Sequence, residues 1–278
     1  MQTWEEVSSI RNQMDHLDNL ENETIYIIRE AYSRFRNIAM LWSIGKDSTT
    51  LLWVIRKAFF GEIPFPVVHI DTTFKFREIY TFRDKYVREW GLNLIVSRNE
   101  EALNQGMCPE IGRFECCEAL KTQALKQTLA KYKFKALLLA IRRDEHGIRA
   151  KERYFSPRNT DFTWDYINQP AEFWNLYSTN RNAEHLRIHP MLHWTELDIW
   201  KYIYREKIPV VSLYFARHGK RYRSIGCHTC CVPVESDANT VWKIIGELET
   251  TRVPERSGRA QDKEDTYTMQ KLRSLGYM

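Results

Sequence analysis

Six consecutive residues, Ser43-Ile44-Gly45-Lys46-Asp47-Ser48, bring two hydroxyls, an ammonium and a glycine together in one short stretch. That combination suits the holding of a phosphate. The stretch lies between an apolar run at 38–42 and an amphipathic run that begins at Thr49. A buried strand would therefore deliver the chain to a tight turn, and the following helix would aim its first amides and its positive end at the same point. Lys46 and the hydroxyls of Ser43 and Ser48 add donors. The spacing is not that of the Walker A loop, which needs two glycines with four residues between them, then Lys and Ser or Thr. A plain strand-to-helix turn capped by Asp47 and Ser48 is the competing explanation.

The cysteines form a second constellation: Cys108, the adjacent Cys116 and Cys117, and Cys227-x-x-Cys230-Cys231. A disulfide framework is not expected in a cytoplasmic enzyme of this size, whereas Cys-x-x-Cys with a second pair can set four thiolates around one metal centre. Iron–sulfur clusters and zinc both accept such a set, and unliganded thiols remain a third option. Cys108 or Cys231 would be left over, either as core packing or as a persulfide acceptor.

Net charge is +5, too modest to indicate a nucleic-acid partner, but residues 142–158 carry six Arg or Lys against three acids. The stretch 217–223 carries four with none. Each is either a solvated face or an anion-binding arm. His185, His189, His193, His218 and His228 lack a metal-ligand spacing on one helix and read as surface or hydrogen-bonding residues. The aromatics Trp164, Tyr166, Phe173 and Trp174 could stack bases or cover a crevice.

The elements that must position these groups alternate. A polar helix ending near Arg36 leads to strand 38–42, helix 48–59, strand 66–71, helix 76–90, strand 93–96, helix 118–132 and strand 136–141. A further helix, 195–203, opens with the capping pair Thr195 and Asp198 and turns Leu197, Trp200 and Ile203 to the core. The fold class is α/β, a parallel sheet flanked by helices on both faces, with ligands beyond the carboxyl ends of the strands. That rule brings the Ser43 loop, Asp71-Thr72 and Arg142-Arg143 to one crevice. Residues 1–210 are expected to form the nucleotide-binding domain with its N-terminal helix, and 211–278 a C-terminal extension carrying the Cys-x-x-Cys-Cys motif. With 43% hydrophobic and 28% charged residues, nothing suggests disorder. The apolar run 136–141 is too short to span a bilayer and residues 1–6 lack signal-peptide character, so a cytoplasmic protein without a membrane partner is expected.

The loop resembles the Ser-Gly-Gly-x-Asp-Ser loop of the PP-loop ATP pyrophosphatases, with Ile44 in place of the first glycine and Lys46 at the free position. Further blocks follow in order: 69–72 with 75–78, 142–145, 149–153, 194–200 and 255–259. Together they look like the small, ATP-splitting subunit of bacterial sulfate adenylyltransferase and its relatives. The resemblance implies an adenine nucleotide alpha hydrolase-like fold and adenylyl transfer from ATP. It also implies roles. Ser43, Ile44, Gly45, Lys46, Asp47 and Ser48 would hold the triphosphate, His69, Asp71 and Thr72 would border the nucleotide, and Arg142, Arg143, Arg149 and Arg153 would form an anion-binding arch. Lys46, Asp47, Ser48, Arg142 and Arg143 would carry catalysis by matching charge that develops on the phosphates. Mg2+ would arrive with ATP, and Asp47 or Asp71 could supply a ligand, unless Asp47 caps the helix instead.

The cysteines look like the four cluster ligands of adenylylsulfate reductases, which implies a [4Fe-4S] cluster on Cys116, Cys117, Cys227 and Cys230, with zinc as the lesser alternative. Those reductases use a further cysteine near the C-terminus. No cysteine follows Cys231, so reductase activity is not expected. Compared with the sulfate-activating subunits, the chain adds cluster-type cysteines and lacks an insert before the Arg221 region. Cluster cysteines also occur among the similar ATP pyrophosphatases of DNA phosphorothioation systems. The leading expectation is thus activation of a DNA backbone oxygen, with DNA and a cysteine desulfurase as partners. The alternative is the small subunit of sulfate adenylyltransferase, working with a GTPase subunit; the third is a non-catalytic nucleotide- or DNA-binding module. A homo-oligomer is compatible with all three.

Overall fold

The computed structural model describes residues 15–147, 149–169, 171–172, 177, 183–259, 271–272 and 275–276. Pro170, Phe173, Trp174 and the N-terminal residues 1–6 lie outside this set.

The first helix, α1 (His16–Arg34), starts at a capping box in which Asp15 accepts the Asp18 N–H and Asp18 accepts that of Asp15. The chain then alternates: β1 (Ile38–Leu41), α2 (Lys46–Ala58), β2 (Val67–Ile70), α3 (Arg77–Glu89), β3 (Leu94–Ser97) and the short α4 (Glu100–Asn104). Next, α5 (Arg113–Cys117) runs through a π turn (Glu118–Gln123) into α6 (Ala124–Tyr132), followed by β4 (Ala136–Leu138). After β5 (Phe155–Arg158) and β6 (His185–Ile188) come α7 (Glu196–Glu206), the two-residue strands β7 (Lys220–Arg221) and β8 (Val234–Glu235), and α8 (Val241–Thr250).

Six strands form one sheet in the order β3-β2-β1-β4-β6-β5, parallel throughout except for β5. Strand residues alternate between the two faces. Ile38 and Met40 of β1 join the larger core with Leu51, Leu52 and Ile55 of α2 and Trp200 of α7, whereas Ala39 and Leu41 pack with Ala124, Leu125 and Leu129 of α6. Apolar contact on both faces explains the continuous apolar reading of these strands. Each fully buried Leu or Ile contributes about 1.5–3 kcal/mol to that packing.

Several expectations shift. Strand 136–141 ends at Leu138, and helix 118–132 starts five residues earlier and contains the π turn. The capping pair at α7 is present, with Asp198 N–H donating to Thr195 Oγ1 at 3.1 Å. Trp200 and Ile203 are buried as expected, while Leu197 is only half-buried. Strands β5 and β6 had no counterpart in the sequence reading.

Candidate active site

The loop after β1 is held from three sides. Ile44 takes a left-handed backbone (φ 67°) with its side chain buried in the core, a conformation unusual for a β-branched residue. A Cβ on Gly45 would stand 3.3 Å from Ser43 Oγ and 3.5 Å from the Tyr214 hydroxyl, so only the smallest residue leaves those oxygens unhindered. The Ser43 and Ser48 hydroxyls meet at 3.0 Å, and Trp42 Nε1 donates to Thr49 Oγ1 at 3.1 Å, tying strand end to helix start. Gly45 is the N-cap of α2. The Lys46 N–H already donates to the Tyr214 hydroxyl at 2.8 Å, which leaves Asp47 and Ser48 as the first-turn amides without an intrahelical acceptor.

A cavity of about 150 Å³ opens above this loop, lined by Ser43, Lys46, Asp47 and Ser48 on one side and by Ser224, Gly226 and Arg259 on another. Glu145, Arg149 and Arg256 close a third side, and Lys75 and Lys121 border it as well. Beneath the cavity runs a buried charge network. Glu255 ion-pairs with both Lys46 and Arg142, and Arg142 also contacts Asp47 and, at 2.9 Å, Asp144. Arg149 pairs with Glu145, which also meets Arg256 at 3.3 Å. Burial alone would push the Glu145 and Glu255 carboxyls up, but the adjoining cations outweigh it and hold both below the ordinary range. Glu196 behaves oppositely: burial and the like charge of Glu255 raise it, even though Arg223 grips it at 2.7 Å.

The structure separates the residues expected at this site. Ser43, Gly45, Lys46, Asp47, Ser48 and Arg149 line the cavity. Arg142 is fully buried below it, committed to three carboxylates. Arg143 points elsewhere, its guanidinium 5.1 Å above the Tyr154 ring, and neither Arg143 nor Arg153 belongs to the lining. His69 lies on β2, beside β1, with Nδ1 2.9 Å from the Trp42 carbonyl oxygen; burial, with Lys75 adding to it, lowers its pKa to about 4. Asp71 is taken up by Arg98 at 2.6 and 2.9 Å, the Tyr80 hydroxyl and the Thr73 N–H, so its oxygens are engaged away from the cavity. Thr72 reaches the thiol region, 3.2 Å from Cys227 Sγ.

Cys116, Cys117, Cys227 and Cys230 are buried free thiols gathered in one neighbourhood. Lys121 Nζ approaches Cys117 Sγ at 3.4 Å. Burial and the neighbouring thiols Cys117 and Cys227 push Cys116 up to about 12, whereas for Cys227 burial is outweighed by Lys121 and Lys75, which bring it to about 7. Among the described residues, no three Cys, His, Asp or Glu side chains stand close enough together to hold a metal ion. Cys231 accepts from the Gly226 N–H at 3.1 Å and from Arg259 Nη1 at 2.9 Å. Cys108 is only half-buried.

Glu255, Tyr214, Lys121 and Arg259 carry much of the site without having been singled out as site residues. Lys121 had a legible signal, because its spacing of four from Cys117 stacks the two on one helical face. Tyr214, on a 3-10 turn 168 residues from its partner, had none.

Comparison with known proteins adds to this geometry. Residues 37–233 match the phosphoadenosine phosphosulfate reductase domain. The chain is 43% identical to sulfate adenylyltransferase subunit 2 of Trichlorobacter lovleyi, over 95% of this chain and 98% of the relative. It is 42% identical to the protein of that name from Pseudomonas fluorescens, over 96% and 99%. Among solved structures, FMN adenylyltransferase from Candida glabrata aligns with TM-score 0.58 at 17% identity, covering 98% of this chain and 89% of that one. Phosphoadenylyl-sulfate reductase from Candida auris aligns with TM-score 0.52 at 16% identity, covering 79% and 98%. The structural likenesses establish the fold.

Proposed function

Because the chain belongs to the phosphoadenosine phosphosulfate reductase domain family, and within it to the sulfate adenylyltransferase subunit 2 proteins, we propose that it adenylylates sulfate with ATP, assisted by a GTPase subunit. It is an adenylyl-transferring enzyme of the PP-loop class. Sulfate as acceptor is favoured over a DNA phosphate by the near full-length similarity to proteins of that name. The observation that carries the chemistry is the cavity over the 43–48 loop, where Lys46, Arg149 and Arg256 face one space.

An acceptor oxygen attacks the α-phosphorus of Mg-bound ATP, the bond from that phosphorus to the bridging oxygen breaks, and pyrophosphate leaves with the electron pair. Charge grows on the leaving oxygens, and donors fixed before the reaction stabilise it most effectively. In this reading the amides of Asp47 and Ser48, the Lys46 ammonium and Arg149 receive that charge. Arg142 acts from below by holding Asp47 and Glu255 in place. No covalent intermediate on the protein is needed.

The test is reconstitution: full-length protein, a GTPase subunit from a sulfate-activating system, ATP, GTP and Mg2+, with pyrophosphate and adenylylsulfate measured with and without sulfate. Sulfate-dependent formation of both supports the reading; pyrophosphate release that requires DNA and a cysteine desulfurase, and ignores sulfate, overturns it.

A second reading, a DNA backbone oxygen as acceptor in phosphorothioation, takes its motive from the buried thiols Cys116, Cys117, Cys227 and Cys230. Four soft donors are the right chemistry for a [4Fe-4S] cluster, which when bound would supply redox capacity and link the end of α5 at 116–117 to the 227–230 turn; as placed here, no three of these thiols are close enough together to hold a single metal ion. Iron and sulfide analysis after anaerobic purification tests the cluster: four irons per chain support it, while zinc or a colourless, fully active protein excludes it.

A further inference from the structure

Nearly every cation around the cavity is already partnered. Lys46 pairs with Asp47 and Glu255, and Arg149 and Arg256 share Glu145. Arg259 donates to Ser224 Oγ, the Ile225 carbonyl and Cys231 Sγ, and Lys121 leans on Cys117. Lys75 differs. Its side chain lines the same cavity, yet among the described residues its ammonium has neither hydrogen bond nor ion pair. Its backbone is fixed, following Thr73 in a left-handed conformation (φ 65°) and forming an antiparallel bridge with Cys227, while His228 N–H donates to the Phe74 carbonyl at 2.8 Å.

Its electrostatic surroundings are lopsided. Burial disfavours the charged form first of all, Lys121 and Arg259 push the same way, and the groups that oppose them are the thiols Cys227 and Cys231, with no carboxylate among the main influences. The cavity thus has a half over the 43–48 loop whose cations are paired with carboxylates, and a half at Lys75 whose ammonium has no such pair among the described residues. A half-buried ammonium that lines a cavity without a counter-charge is a ready partner for an anionic ligand.

We propose that Lys75 selects the acceptor: its free ammonium binds the small tetrahedral oxyanion, of the sulfate class, that receives the adenylyl group. This deepens the proposed function and rests on it for the identity of the oxyanion. A compact dianion matches the excess better than a phosphodiester monoanion, because Lys121 and Arg259 stand beside Lys75. The triphosphate is left to the Lys46 half.

Thermal shift measurements on the full-length protein test this. Wild type, K75M and K75R are each titrated first with the non-cleavable α,β-methylene ATP analogue, then with sulfate in its presence. An unchanged shift with the analogue shows that a variant is folded and keeps its nucleotide half. The expected result is a sulfate half-saturation at least about tenfold higher in K75M, the scale of one lost charge-assisted hydrogen bond, with substantial recovery in K75R. Unchanged sulfate affinity in K75M overturns the assignment while leaving sulfate activation intact. If wild type ignores sulfate but shifts with a short DNA duplex, and K75M loses that shift, the sulfate reading fails and Lys75 stands as the seat of a phosphodiester acceptor. If no anion-dependent shift in wild type is altered by K75M, the proposal is wrong.

Discussion

The ammonium of Lys46, 1% exposed, is ion-paired with the carboxylate of Glu255, which reaches it from 209 residues further along the chain. The loop lysine is thus neutralised from below before any nucleotide arrives. Replacing Glu255 with Gln keeps the shape but leaves Lys46 and Arg142 short of one negative charge. Breaking a buried pair from one side destabilises by about 3–5 kcal/mol. E255Q should therefore melt well below wild type without ligand and gain more than wild type from ATP, whose phosphates supply the missing charge. Equal ATP-induced shifts in the two proteins would refute this.

Lys46 should matter to the chemical step as well as to folding, because removing its ammonium leaves the buried Glu255 carboxylate one cation short. K46M is expected to lower the rate of acceptor-dependent pyrophosphate release by about 10²–10³, the usual effect of deleting one charge-stabilising donor. A rate within threefold of wild type would place the work elsewhere.

The arginines should divide by position. Arg149 lines the cavity and Arg143 lies over Tyr154, so R149A should reduce kcat/KM for ATP by about tenfold or more while R143A leaves it within a few-fold. Comparable losses in both would mean that Arg143 swings into the site during turnover.

Acid should expose the buried histidine. The pKa of His69 falls to about 4 in the native protein, mainly through burial, against about 6.5 in an unfolded chain. As pH drops below 6.5 the unfolded state takes up the proton first, so stability is full above that value and is lost progressively down to about pH 4, by roughly 3 kcal/mol. Urea unfolding at pH 7.5, 6 and 5 should show this slope in wild type and a shallower one in H69Q, whose amide can still donate to the Trp42 carbonyl. Parallel slopes would assign the acid sensitivity to other groups.

Four of the five parallel strands of the central sheet were legible because they read as short apolar runs, and the 43–48 loop because strand, glycine and helix follow within ten residues. Strand β5 was hidden for two reasons. Pro157 suggests a loop, yet β5 is at the sheet edge, where a missing N–H is tolerated. Ser156 and Arg158 pair with Arg187 and His185 as a buried polar face, which inverts the usual pattern of a strand. The arginine arch was only half legible, since spacing does not reveal that Arg142 faces three carboxylates, two of which, Asp47 and Glu255, come from distant segments. Asp71 looked like a metal ligand for the same reason: Arg98 and Tyr80, which occupy it, are set by the fold rather than by local sequence.

Ile44 has an effect on timing. A glycine at this position would let the loop sample many shapes and select one when ATP binds, whereas an isoleucine anchored in the core with φ at 67° fixes the shape during folding. The ordering entropy is then spent before ligand encounter, so nucleotide association should proceed at a rate set by diffusion and desolvation, without a slow loop rearrangement.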